Sequence, residues 1–278
     1  MADASPPDPL VVAEAAARAG GRVLRDWVGR FAVAVKGPRD LVTEADHASQ
    51  REVRRIIADA FPTHGFVGEE DDGGMARPPA GSPGHAGSGL RWIVDPLDGT
   101  SNYVHGFPFY CVSIALASDD EIICGAILDP VRDECFTARR GAGAWLDGRP
   151  IRCPAVADPA DALTGVSFPP HIGPDSEAVA DFLAVLPRVH SVRRTGSTAL
   201  NLAYLACGRL HAFWARRIAC WDVAAGLLIA REAGAVIGPF GGDGEQIPLD
   251  DPAFLAASTP ALHDFFHRLF AAGDDGQL

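Results

Sequence analysis

The spacing of apolar residues predicts two helices near the start of the chain. Residues 9–28 follow a helical period, although Gly20 and Gly21 weaken it. A second helix is predicted to open at residues 40–46 and to continue through residues 53–60, where apolar side chains recur at positions i, i+3, i+4 and i+7. Pro62 marks the end of this second helix.

Strand patterns follow in the middle of the chain. Three apolar segments between residues 109 and 138 are separated by short turn signals, which favour an antiparallel sheet. After about residue 155, helix-like segments alternate with short strands, as is typical of an α/β arrangement. We therefore predict an α+β half over residues 1–155, which holds the main acidic motifs, and an α/β half over residues 156–278.

Composition narrows the class of protein. The 278 residues hold 24 Lys+Arg against 36 Asp+Glu, a net charge of −12, which leaves no basic surplus for general nucleic-acid binding. No stretch approaches the ~18 consecutive apolar residues of a membrane span, and no signal-peptide pattern is present. The six cysteines, without CxxC spacing, fit neither a zinc site nor a disulfide scaffold. We expect a cytoplasmic protein with free thiols that binds neither nucleic acid nor membranes.

Two carboxylates stand three residues apart where an apolar strand ends. Asp95 and Asp98 are costly to bury there unless they share a cation. Pro96 fixes φ and Gly99 allows a tight turn, so both acids and the Leu97 carbonyl can face one point. Such hard oxygen ligands suit Mg²⁺ or Mn²⁺, whereas an ordinary Asp-Gly turn explains the same residues without a metal.

Three further acidic motifs each have a structural interpretation as well. Glu69 and Glu70 belong to a run of acids typical of a solvated surface. Asp46 forms a capping-box pattern with Thr43, and Asp222 stands at a helix start as an N-cap. Each motif lies between an apolar element and a turn, and their joint occurrence favours a shared metal site.

Together these motifs resemble the inositol monophosphatase family, within the superfamily of magnesium-dependent, lithium-sensitive phosphatases. The matching segments are Lys36, DLVTEAD at 40–46, GEE at 68–70, DPLDGTSNYVHGFP at 95–108, GSTAL at 196–200 and WDVAAG at 221–226. The resemblance implies a layered α-β-α-β-α sandwich of α+β and α/β character. It also implies a homodimer that hydrolyses a small phosphate monoester.

The resemblance further implies a role for each matching residue. The expected ligands of two Mg²⁺ ions are Glu69, Asp95, the Leu97 carbonyl, Asp98 and Asp222. A third, weaker Mg²⁺ is expected near Glu69, and Mn²⁺ is a possible substitute. Asp46 and Thr100 are expected to orient the attacking water, with Glu70 as an outer or weak ligand and Lys36 as a neutralising charge. Groups expected to face phosphate or substrate hydroxyls are Gly99, Thr100, Gly196, Ser197 and Thr198.

The chain departs from the family's pattern in two places. Inositol-selective members carry an acid seven positions before the aspartate of the WD motif, and here that position is Ala215. Arg216 and Arg217 follow directly. They are either solvated residues at the end of a strand, or one of them, chiefly Arg216, binds a second anionic group of the substrate. The Gly/Pro/Ser-rich segment 71–90 is longer than usual, and we expect a mobile flap whose His85 fits an exposed loop residue.

These departures leave the substrate open. Myo-inositol 1-phosphate is in doubt, and histidinol phosphate, fructose 1,6-bisphosphate and 3′-phosphoadenosine 5′-phosphate are alternatives within the family. The alternative from another class is a non-catalytic, dimeric regulatory protein whose metals serve folding or regulation. Asp46 and Thr100 favour the enzyme, because a purely structural metal site does not need them.

Overall fold

The structure is a computed structural model that describes residues 6–37, 40–71, 89–118, 121–169, 172–240 and 247–274. Most of the 71–90 segment, including His85, therefore lies outside the described residues. The helices are α1 (Pro9–Trp27), α2 (Glu44–Ala60), α3 (Thr100–Val104), α4 (Glu177–Val185), α5 (Thr198–Ala206), α6 (Cys220–Glu232) and α7 (Pro260–Asp274). The strands are β1 (Val33–Gly37), β2 (Asp40–Thr43), β3 (Gly65–Gly68), β4 (Leu90–Asp98), β5 (Cys111–Ser118), β6 (Glu121–Asp129), β7 (Glu134–Arg139), β8 (Gly143–Leu146), β9 (Arg149–Pro150), β10 (Leu163–Ser167), β11 (Ser191–Arg193), β12 (Ala212–Ala215), β13 (Val236–Pro239) and β14 (Phe254–Ala257).

The first sheet has the order β3-β4-β5-β6-β7-β8-β9. β3 and β4 are parallel, and every later pair is antiparallel, as the consecutive strand patterns predict. β4 extends through Asp98, so the acidic pair lies inside the strand and not after it. This difference matters for the site, because a strand fixes its side chains more firmly than a turn does.

Side chains of the first sheet alternate between two helical layers. Trp92 and Val94 of β4 pack with α1 and α2 on one face. Ile93, between them, packs with α5 and α6 on the other face. The period-two alternation therefore places the strand between two apolar layers.

Small residues let α6 pack closely against α5 and against β6 of the first sheet. A Cβ built on Gly226 of α6 would lie 2.7 Å from the Leu202 Cβ of α5. A Cβ built on Gly125 of β6 would lie 3.1 Å from the Ala225 Cβ. A larger side chain at either glycine would push α6 away from its neighbours, and α6 carries Asp222.

The second sheet closes the other side of α5 and α6. Its order is β11-β10-β12-β14-β13, with β10 parallel to both its neighbours and β14 antiparallel to both its own. Phe213 packs toward α5 and α6, whereas Trp214 packs with α4 and α7. The resulting α-β-α-β-α layers are those that the sequence led us to expect. No described helix is both long and apolar enough to cross a membrane.

Candidate metal centre

Three aspartates from two elements of the chain, β4 and α6, converge. Asp95, Asp98 and Asp222 each present a carboxylate oxygen, and these oxygens lie within 4.8 Å of one another. Asp95 and Asp98 are almost fully buried, and Asp222 is partly buried. Carboxylates so close together repel unless a cation compensates them, and an all-oxygen set suits a hard divalent ion such as Mg²⁺.

A β-bulge in β4 aims the first two carboxylates. Asp95 pairs with Ser113, but Asp98 pairs with Cys111, so β4 has one residue more than β5 between these positions. The Leu97 amide donates to Asp95 Oδ1 at 2.9 Å, which fixes the bulged turn. In a regular strand, side chains three positions apart point to opposite faces of the sheet. The extra residue in β4 lets both carboxylates face the same side.

The N-terminus of α5 binds Asp98. The Ser197 hydroxyl and the Ala199 amide each donate to Asp98 Oδ2 at 2.7 Å. Burial nevertheless raises the pKa of Asp98 to about 6, although these donors oppose the shift. Ser197 was expected to face substrate, and the structure corrects this: its hydroxyl orients a candidate ligand. The Thr198 hydroxyl donates to Ser167 Oγ at 2.9 Å and is buried as well.

Asp222 was predicted to be an N-cap, but the N-cap of α6 is Ala219, and Asp222 binds it from within the helix. It is the third residue of α6, and the Ala219 amide donates to its Oδ2 at 3.2 Å, as a helix cap requires. The same carboxylate belongs to the three-aspartate cluster. The cap therefore holds the side chain in place rather than competing with a metal role.

Glu69 joins the cluster from the end of β3. Its amide donates to the Val94 carbonyl at 3.1 Å, and its carboxyl group is hydrogen-bonded to Asp95. Burial, with repulsion from nearby acids, raises the pKa of Glu69 to about 8, and Lys36 opposes that rise. Burial and then the neighbouring Glu69 raise the pKa of Asp95 well above its ordinary value. Burial and the proximity of the two carboxyl groups therefore both disfavour their ionised forms.

Lys36 spans Glu69 and Glu70. Its Nζ lies 3.3 Å from Glu69 Oε1 and 2.5 Å from Glu70 Oε1. The Glu70 side chain is only 1% exposed, and Gln50 Oε1 accepts its amide at 3.0 Å. Glu70 is therefore linked to Glu69 through Lys36 and is not one of the three clustered aspartates, which fits the outer position predicted for it. Gln50 was not identified from the sequence, because its only signal is a polar residue on the inner face of a helix.

Buried Asp46 and partly buried Thr100 form a pair beside the cluster. The Thr43 amide and hydroxyl donate to Asp46 Oδ2 at 2.9 and 2.6 Å, which completes the capping box of α2. The Thr100 hydroxyl lies 3.1 Å from Asp46 Oδ1 and 3.0 Å from the Leu97 carbonyl. One hydroxyl proton cannot fully satisfy both acceptors, so a cation on the Leu97 carbonyl would direct it to Asp46. Burial raises the pKa of Asp46.

Acids of α4 bind the Arg216 guanidinium. Its Nε donates to Asp181 Oδ2 at 2.7 Å, its Nη1 donates to Glu177 Oε2 at 3.1 Å, and the guanidinium lies 3.9 Å from the Phe240 ring centroid. This corrects the expectation that Arg216 binds substrate, because α4 carboxylates occupy its donors. Arg217 is exposed and has a left-handed φ of 53°. Ala215 is buried in the second sheet.

Comparison with known proteins gives a consistent result. A model of the inositol monophosphatase family matches residues 8–273. An inositol-1-monophosphatase of Rhizobium meliloti (strain 1021) is 40% identical over 228 residues, which cover 81% of this chain and 82% of that protein. A Nus factor SuhB of Pseudomonas aeruginosa is 38% identical over 242 residues, with 85% and 87% covered.

Solved structures share the fold. The extragenic suppressor protein suhB from Bartonella henselae superposes with a TM-score of 0.83 at 34% identity, covering 95% of this chain and 98% of that one. The inositol monophosphatase from Anabaena gives a TM-score of 0.80 at 33% identity, with 95% of both chains covered.

Proposed function

The chain belongs to the inositol monophosphatase family, and we propose that it is a Mg²⁺-dependent phosphatase of small phosphate monoesters. The observation that carries this proposal is the convergence of carboxylate oxygens of Asp95, Asp98 and Asp222 within 4.8 Å, next to the hydrogen-bonded Asp46–Thr100 pair. The carboxylates account for cation binding, and the Asp46–Thr100 pair accounts for proton transfer.

Two Mg²⁺ positions fit the donor set. Asp95, Glu69 and the Leu97 carbonyl would hold one ion, and Asp95, Asp98 and Asp222 would hold the other. A third, weaker ion near Glu69 and replacement by Mn²⁺ belong to the same proposal. Bound Mg²⁺ supplies positive charge to the phosphoryl oxygens and makes a water molecule more acidic. An acidic protein can thus bind an anionic substrate through its metals.

The proton of the attacking water would pass to Asp46 through the Thr100 hydroxyl. Thr100 donates its own proton to Asp46 Oδ1, 3.1 Å away, and accepts one from the water. Because burial raises the pKa of Asp46, its carboxylate is a better base than an exposed aspartate. The Thr43 donors keep Oδ1 turned toward Thr100.

The test is phosphate release from inositol 1-phosphate and p-nitrophenyl phosphate with Mg²⁺, with excess EDTA, and with Li⁺. We expect activity that EDTA abolishes and Li⁺ inhibits. Asp98→Asn is the matched loss of a ligand, and Arg152→Gln, an exposed residue outside the cluster, is the control. Hydrolysis that survives EDTA, or that Asp98→Asn leaves intact, would contradict the proposal.

The residues at positions 215 and 216 bear on which substrates the enzyme would accept. Ala215 offers no acceptor for sugar hydroxyls, and the Arg216 donors are occupied by α4. A screen of inositol 1-phosphate, histidinol phosphate, fructose 1,6-bisphosphate and 3′-phosphoadenosine 5′-phosphate compares kcat/KM directly. If Arg217→Ala lowers kcat/KM only for esters with a second anionic group, that residue takes the part first assigned to Arg216.

The remaining proposals concern setting and assembly. We place the enzyme in the cytoplasm as a homodimer that needs neither nucleic acid nor membranes. A reducing compartment suits its six free thiols. The rival class, a non-catalytic regulatory dimer, would bind Mg²⁺ yet release no phosphate from any ester in the screen.

A further inference from the structure

We propose that Asn102 is a positioning residue for Asp98, an inference that takes Asp98's role as a metal ligand from the proposed function. Asn102 lies in α3, four residues after Asp98. Its carboxamide joins this segment to the loop that precedes α5, from the other half of the chain. We define the Asn102 clamp as the Asn102 carboxamide, the Phe109 and Thr195 carbonyls, and Gly196.

Both protons of the Asn102 amide nitrogen are used in the clamp. Nδ2 donates to the Phe109 carbonyl at 2.6 Å and to the Thr195 carbonyl at 2.8 Å. Both partners only accept hydrogen bonds, so the amide has one consistent orientation. A side chain with fewer donors would leave one of these carbonyls unpaired.

Glycines make the close approach possible. Gly196 has a φ of 89°, and a Cβ built on it would lie 3.0 Å from both Nδ2 and Oδ1 of Asn102. Gly99, directly after Asp98, has a φ of 98°, and its Cβ would lie 3.0 Å from the Phe109 carbonyl. The chain on both sides of the clamp therefore leaves no room for another side chain.

The clamp holds the two segments that meet at Asp98. On one side, β4 and α3 carry the Asp98 carboxylate itself. On the other, Thr195 and Gly196 lead directly into Ser197, whose hydroxyl donates to Asp98 Oδ2 at 2.7 Å. Asn102 thus fixes the position of the Asp98 carboxylate relative to the Ser197 hydroxyl that donates to it. It acts through Asp98 and has no assigned contact with substrate.

The experiment measures Mn²⁺ binding by titration calorimetry for the parent chain, Asn102→Ala and Gly196→Ala. The two variants break the clamp from opposite sides. We expect each to bind the more weakly held Mn²⁺ about tenfold less tightly, the lower end of the range for losing a partner outside the ligands. We expect kcat of Asn102→Ala at saturating Mg²⁺ to stay within threefold, because the restored ligand then supports the same chemistry.

The control is Arg209→Met, which removes an ion pair with Glu134 and the stacking on Tyr204 at the far end of α5. It destabilises the same helix and leaves the clamp intact. Asn102→Ser, which keeps one donor, is the milder replacement if Asn102→Ala does not fold. Mn²⁺ affinity within twofold of the parent in both clamp variants overturns the inference, and so does an equal loss in Arg209→Met.

The metal readout separates this inference from the proposed function. If the parent binds Mn²⁺, the clamp variants lose affinity and no ester is hydrolysed, then Asn102 positions Asp98 and the phosphatase proposal fails. If the parent hydrolyses esters and the clamp variants bind Mn²⁺ as the parent does, only the inference fails. A parent chain that binds no Mn²⁺ also overturns it.

Discussion

Removing divalent ions should make the stability of this protein fall as pH rises. Burial raises the pKa of Asp98 from 3.8 to about 6 in the folded chain. An acid with a raised pKa binds more protons when folded than when unfolded. The free energy of unfolding therefore decreases as pH climbs between the two values and levels off above the higher one.

The size of this effect follows from the Asp98 pKa. A rise from 3.8 to about 6 corresponds to about 3 kcal/mol, at ~1.4 kcal/mol for each pKa unit. Roughly half of that cost falls above pH 5. Glu69, whose pKa burial raises to about 8, extends the decline toward pH 8. Bound Mg²⁺ compensates the ionised carboxylates, so it should remove most of the cost.

The assay is urea unfolding of EDTA-treated protein between pH 5 and pH 8, repeated with saturating Mg²⁺. Histidines whose pKa burial lowers, such as His64 and His211, contribute equally to both series, so the difference isolates the site. We expect the stabilisation by Mg²⁺ to grow with pH, and to grow less in Asp98→Asn. A stabilisation that is constant across this range, or that shrinks as pH rises, would refute the reasoning.

Three substitutions test other parts of the site. Asp46→Asn should lower kcat by about 10²–10⁴-fold, because it removes the proton acceptor, and rate measurements check this. Mn²⁺ affinity, measured by calorimetry, should stay nearly unchanged, because no proposed ligand is removed. Ser197→Ala should raise the Mg²⁺ concentration for half-maximal activity about 10–100-fold, because Asp98 loses an orienting donor, and a Mg²⁺ titration of the rate checks this. Arg216→Met should cost about 1.5–3 kcal/mol in urea unfolding, because it removes charge-assisted hydrogen bonds to Asp181 and Glu177, while kcat/KM for monoesters stays within twofold. A large fall in that kcat/KM would return Arg216 to the substrate site.

Local pattern predicted the elements better than it predicted their side-chain contacts. The capping pattern of Thr43 and Asp46 could be read from four residues, and the prediction that residues 40–46 open the second helix is confirmed, since α2 begins at Glu44. The amphipathic period is clear only past residue 53, and the polar first turns are set by the cap. The strand, by contrast, was expected to end before Asp95, because Pro and Asp usually interrupt strands. A bulge carries β4 through Asp98 instead.

Contacts between distant segments explain the errors at Ser197 and Arg216. The Ser197 hydroxyl is taken by Asp98, 99 residues earlier in the chain, and nothing near Ser197 signals that partner. Arg216 is paired with acids of α4, 35 and 39 residues upstream. Sequence motifs specify which residue types are present, but packing of the layers decides which of them meet.

Helix N-termini explain how the fold tolerates so many buried acids. Asp46 and Asp222 are each the third residue of a helix, and Asp98 is bound by the first turn of α5. Backbone amides and the helix dipole stabilise negative charge at these positions. Glu69 instead follows a strand, where Lys36 and a hydrogen bond with Asp95 oppose the rise, and its pKa reaches about 8 where that of Asp98 reaches about 6. A helix N-terminus engages one carboxylate oxygen and a carboxylate has two, so these hydrogen bonds are compatible with the metal roles proposed for Asp98 and Asp222.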